Sequence, residues 1–143
     1  DYVVDLTLPF IKPEVAKWMY PIRSVADAGG RLAFGSDWSV STADPFYQIE
    51  HAVTRVDAET HATDPLNPEQ AISLEQAIEA FTLGSAFVNH HETRTGSVEV
   101  GKLADLIVID QNLFKIKPQA ISDTKVLLTL FGGKPVYGKP GDL

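Results

Sequence analysis

Arg31-Leu32-Ala33-Phe34-Gly35-Ser36-Asp37-Trp38 decides how the rest of the chain is read. Its apolar run lies between Gly29-Gly30 and Gly35 and is too short for a helix. Bounded by glycines and followed at once by polar residues, it reads as a buried parallel strand carrying Ser36 and Asp37 at its carboxyl end. Upstream, Val15, Trp18, Ile22, Val25 and Ala26 share a helical face, and Pro21, lacking an amide donor, is expected to kink or restart that helix before Gly29-Gly30 ends it. Downstream, past Pro45, the residues Phe46, Ile49, Val53 and Val56 recur at helical spacing. The unit is helix, strand, loop, helix.

Further out, residues 1–13 alternate loosely and end in prolines, which reads as an extended segment or long loop. Residues 57–72 form a polar loop with Pro65 and Pro68. Ser73, followed three residues later by Gln76, is a capping-box pattern opening the stripe Leu74, Ala77, Ile78, Phe81, Ser85 and Val88. Near residue 95 the character changes to short β-rich runs. Strands are expected over 96–101, 104–110, 125–131 and 135–137, the last two joined by a hairpin at Gly132-Gly133-Lys134. The chain thus divides into 1–92 and 93–143, with no internal repeat.

With 143 residues, 44% of them hydrophobic, the chain can bury a core. A net charge of −7, from 19 acidic and 12 basic residues without a basic cluster, argues against a nucleic-acid partner. The absence of cysteine excludes disulfides and thiolate chemistry, so a metal would have to use histidine and carboxylate. No window approaches the roughly 18 apolar residues of a membrane span, and Asp1–Asp5 lacks a positively charged segment leading into an apolar run. A cytoplasmic location is expected.

A carboxylate just past the carboxyl end of a buried parallel strand stands where α/β barrels and open sheets build active sites, and Asp37 meets that description. The competing reading makes Asp37 a cap for the following loop. The run Gly35-Ser36-Asp37-Trp38-Ser39-Val40, then Asp44-Pro45 and Ala52-Val53-Thr54-Arg55, resembles the eighth-strand region of the amidohydrolase superfamily, in its YtcJ-like branch. Gly96 through Asp110, with its Gly101-Lys102-Leu103-Ala104-Asp105 core, and Val126 through Tyr137 are similar to the C-terminal strands that complete a small β-sandwich beside the barrel. Asp1–Phe10 and Tyr20–Ser24 fit the same branch.

That resemblance implies the C-terminal part of a distorted (β/α)8 barrel, residues 1–92, followed by β-sandwich strands, residues 93–143. It also implies one or two divalent ions, zinc foremost, with Asp37 as both metal ligand and proton shuttle. The reaction implied is hydrolysis of a C–N bond other than a peptide bond, on a small N-acyl, N-formyl or cyclic amide substrate. A barrel relative performing deamination or C–O hydrolysis, and a non-catalytic structural or interaction module, are the alternatives. The family's first-strand histidine pair, its middle-strand carboxylate or carbamylated lysine and its two further histidines have no match here. The chain is therefore expected to be a fragment, partnered by a missing N-terminal part of the same enzyme, inactive alone and prone to form a homo-oligomer.

The four histidines do not replace those ligands. His51 falls on the Phe46 helix, His61 sits in a polar loop, and the adjacent His90 and His91 point in different directions near a helix C-terminus, where positive charge is favoured. Trp38 either lines the substrate pocket or packs on the neighbouring helix. Arg55 either contacts substrate or an acidic partner near the barrel mouth or is a solvated helical arginine. Lys102 is read as a turn residue.

Overall fold

In the computed structural model, which describes residues 5–62 and 64–142, Pro21 divides the first helical region as its missing amide requires. Helices run over Pro13–Ala16 and Ile22–Asp27 with Tyr20 in the left-handed region between them, and Gly29, at φ +83°, ends the second. The extended reading of residues 1–13 is corrected at its far end. Leu8–Phe10 form a 3-10 turn, Pro13 opens a helix, and residues 1–4 lie outside the described residues.

The Pro45–Thr54 helix starts where the sequence says it should. The Asp44 side chain accepts a hydrogen bond from Phe46 N at 2.9 Å, and Pro45 takes the first position, where no amide is needed. It buries Phe46, Ile49, Glu50 and Ala52. The Ser73 capping box closes in both directions and opens Leu74–Glu79, which continues through a π-helical turn, Ala80–Gly84, into Ser85–Val88.

The run expected to be a parallel strand forms no ladder among the described residues. Phe34 N donates to Ala80 O at 3.0 Å, and Ser85 Oγ donates back to Phe34 O. Backbone groups expected to pair with neighbouring strands are thus partly satisfied by the π turn, and the phenyl rings of Phe34 and Phe81 meet edge to face, 5.6 Å between centroids. Gly84 allows the approach: a Cβ there would stand 2.1 Å from Leu32 O.

Residues 96–101 are also not a strand. Gly96 and Gly101 sit at φ +87° and +96°, which bends the backbone out of the extended region, and Lys102 pins the bend through Ser97 Oγ, Thr95 O and the Glu99 carboxylate. Lys102 is thus the turn residue expected.

The remaining strands form as read. Leu106–Ile109 (β1), Val126–Phe131 (β2) and Lys134–Tyr137 (β3) make an antiparallel sheet in the order β1-β2-β3, with Leu106 opposite Leu130 and Phe131 opposite Lys134. Gly132 and Gly133 both take positive φ, as a tight hairpin turn requires, and Pro135 is tolerated because β3 is an edge. One hydrophobic cluster joins the two halves of the sequence: Phe46, Ile49, Ala52, Ile72 and Ala77 pack with Leu113 and Ile121. No helix among the described residues is long and apolar enough to cross a membrane.

Candidate functional site

Asp37 occupies the turn that leaves the Leu32–Phe34 run, at φ +54° and exposed to solvent. Its backbone carbonyl closes that turn, accepting from Val40 N at 2.7 Å and Ser41 N at 3.3 Å. Its carboxylate has no hydrogen-bond or ion-pair partner among the described residues. The loop-cap alternative required the side chain to accept from local amides, and here Ser36 Oγ takes that part by accepting from Trp38 N at 3.4 Å. Trp38 is 73% exposed, so it stands beside Asp37 in solvent and not against the neighbouring helix.

Arg55 overturns the solvated alternative. It ends the Pro45 helix at φ +61° and is only 4% exposed; its Nε donates to Leu66 O at 2.9 Å and a terminal nitrogen donates to Met19 O at 3.4 Å. Desolvation pulls its guanidinium below the ordinary arginine value, opposed by Glu69. Asn67 Nδ2 reaches the same Met19 carbonyl, so Arg55 and Asn67 together anchor the turn before Pro21.

The polar face of the same helix lines a pocket of about 350 Å³ with Tyr20, Phe34, Ser41, Tyr47, Gln48 and His51 in its wall. Gln48 Nε2 donates to Ser41 Oγ at 2.9 Å, tying the far end of the Asp37 loop to the helix. Burial, then the Arg55 charge, holds His51 below the usual histidine range, with Asp57 and Glu50 opposing. Burial, with Asp57 and Glu59, raises the Tyr47 hydroxyl.

Behind that face lies a feature the sequence reading missed. Glu50, fully buried, faces His61 Nε2 at 2.5 Å through one oxygen and accepts from Ser122 N at 2.8 Å through the other. His61 therefore has a partner eleven residues away, at φ +50° in the 57–62 turn. The one legible signal was Glu50 on the apolar face with Phe46 and Ile49; its partners lie too far along the chain for periodicity to show. His90 and His91 lie just past Val88, beyond the helix end as expected.

Among the described residues no three histidine, aspartate or glutamate side chains converge to hold an ion. The sequence profile described as the amidohydrolase family matches residues 4–137.

The chain belongs to the amidohydrolase family.

Its curated relatives in that family include an N-substituted formamide deformylase of Arthrobacter pascens, 32% identical over 86% of this chain and 22% of the relative. Another is the protein LONG AFTER FAR-RED 3 of Arabidopsis thaliana, 34% identical over 85% of this chain and 20% of its own length. The chain thus spans about a fifth of the length of these curated relatives. Among solved structures, an amidohydrolase from Thermotoga maritima shares the fold at a TM-score of 0.59 and 23% identity, over 90% of this chain and 28% of that one.

Proposed function

We propose that this chain is the C-terminal portion of a metal-dependent hydrolase of C–N bonds other than peptide bonds, with Asp37 as a metal donor and proton-transfer group. The carrying observation is the Asp37 carboxylate, held out by a backbone turn and unengaged by any described residue. A carboxylate spent on capping could not serve; this one is available. In the same reading the Leu32–Phe34 run is the last strand of a (β/α)8 barrel, residues 93–143 supply the sandwich strands, and the rest of the enzyme supplies the neighbouring strands.

The described residues alone do not make a metal site. Asp37 is one donor, whereas a catalytic zinc generally takes three protein ligands. The other donors belong to the rest of the enzyme, and the ion, when bound, supplies Lewis acidity. What Asp37 itself does is exchange a proton: its carboxylate accepts one from the attacking water and returns it to the departing nitrogen as the C–N bond breaks. Trp38, exposed next to Asp37, lines the mouth of the site. Arg55 serves substrate binding indirectly, its buried guanidinium fixing the Leu66 and Met19 carbonyls behind the pocket wall. Substrates are N-formyl, N-acyl or cyclic amides; the deformylase relative supports the first of these.

The test is Asp37→Asn in the intact enzyme, assayed on an N-substituted formamide and a cyclic amide. The amide is nearly isosteric but takes no proton, so turnover should fall by about 10² to 10⁴ or more while the melting temperature stays put. Near-normal turnover would remove the assignment.

A further inference from the structure

A proton-transfer group works only from a fixed place, yet the Asp37 carboxylate has no partner among the described residues to hold it. Its place is therefore set through the backbone of residues 36–41. Within that loop Asp37 O accepts from Val40 N and Ser41 N, and Ser36 Oγ accepts from Trp38 N. These bonds give the loop a shape but do not fix it to the rest of the molecule.

Two anchors do. Upstream, Phe34 N donates to Ala80 O and Ser85 Oγ donates to Phe34 O, which ties the start of the loop to the π turn and the helix after it. Downstream, Gln48 Nε2 donates to Ser41 Oγ at 2.9 Å. The bonds of the intervening segment, Asp44 N to Thr42 Oγ1 and Phe46 N to Asp44 Oδ1, run along the chain towards the helix and do not reach the loop. We propose that Gln48 is a positioning residue for the reaction, holding Asp37 in its working place through Ser41. This inference rests on the reading of Asp37 as the proton-transfer group.

The anchor is rigid, because Gln48 lies between Phe46 and Ile49, both buried in the core, on the Pro45–Thr54 helix. The coupling is short: Ser41, which Gln48 grips by its hydroxyl, is bonded by its own amide to Asp37 O at 3.3 Å. The amide of Gln48 is also neutral, so it fixes the loop without bringing a cation that would disfavour protonation of Asp37. Finally, the bond is separable from folding. It lies at the surface, where water replaces a lost partner, so its removal should spare stability and appear in turnover.

The deciding experiment uses the intact enzyme with N-benzylformamide as substrate. Misplacing a reacting group by about 1 Å can cost about 10²-fold, and partial release of the loop by Gln48→Ala or Ser41→Ala should lower kcat about tenfold. KM should stay within about twofold, since neither side chain acts on substrate binding, and the melting temperature should not move. The double variant should lose no more than either single one, and Gln48→Ala should take nothing further from the residual turnover of Asp37→Asn. Amide order parameters of residues 37–40 should fall in Gln48→Ala from about 0.85 to about 0.6 or below. An unchanged kcat in Gln48→Ala, a change in KM alone, or the full loss repeated in the Asp37→Asn background would overturn the proposal. The order parameters need no substrate and keep the two readings apart. A crippled Asp37→Asn beside a Gln48→Ala enzyme with normal turnover and a rigid loop sinks only the positioning role. Near-normal turnover in Asp37→Asn sinks the proton-transfer reading, and a loosened loop in Gln48→Ala then leaves Gln48 as an anchor without a catalytic role.

Discussion

Asp37 on the loop and Glu50 on the helix that follows it illustrate how differently two carboxylates are used. Asp37 stands in solvent with its oxygens unspent, whereas Glu50 is completely buried with both oxygens occupied. Glu50 is thus a structural group, linking the Pro45 helix to the 57–62 turn and to the segment around Ile121. Glu50→Ala leaves the Ser122 amide without its acceptor and His61 without its carboxylate. Loss of a buried acceptor costs about 1–3 kcal/mol, so chemical denaturation should show a destabilisation of at least that size. His61→Ala should cost less, because His61 is partly solvated and water replaces it. Equal losses from the two substitutions would show that the His61 contact, and not the Ser122 hydrogen bond, carries the linkage.

The Pro45 helix and the Ser73 helix are specified locally, through caps and periodic apolar faces; the Leu32–Phe34 run is not. Its geometry comes from the π turn at Ala80–Gly84, where Gly84 lets the backbones touch. Gly84→Ala would press a methyl to within 2.1 Å of Leu32 O, and overpacking of this kind costs about 1–3 kcal/mol. The displaced run carries Asp37, so the substitution should lower both the melting temperature and, in the intact enzyme, turnover. Ser73→Ala is the matched control. It removes a cap worth about 0.5–2 kcal/mol but leaves the run where it is, so stability should drop with little change in turnover. A Gly84→Ala protein with unaltered stability would show that the contact is loose.

As a whole the molecule exposes more than a self-contained domain of its mass should. Its accessible surface is 9478 Å², against about 7,200 Å² expected for a 15.6 kDa monomer. Part of the excess is apolar: Ile107, Phe131 and Val136 leave the sheet face open over a groove shared with Phe46, Ile78 and Phe81. β1 and β3 also present edges that no other strand among the described residues pairs with, which invites strand addition. The isolated chain should therefore self-associate or copurify with a complementary chain. Sedimentation velocity across a concentration series checks this, and a single monomeric species at all concentrations would refute it.

The features written in nearest neighbours were legible without a structure. Asp44-Pro45, Ser73 with Gln76, Pro21, Gly29 and Gly132-Gly133 each act through backbone groups a few residues away, so the helices they bound and the hairpin they close follow from local chemistry. The motif around Asp37 was legible for the same reason, and with it the family. What the tertiary structure alone decided are relations across long stretches of chain. Phe34 bonds Ala80 and Ser85, Glu50 meets Ser122, and Arg55 turns inward to Met19 and Leu66 when its sequence neighbours suggested solvent. The strand expected at Leu32–Phe34 shows the division most clearly. Its composition announces a buried extended run, but a strand exists only through the hydrogen bonds of its neighbours, and no local pattern contains them.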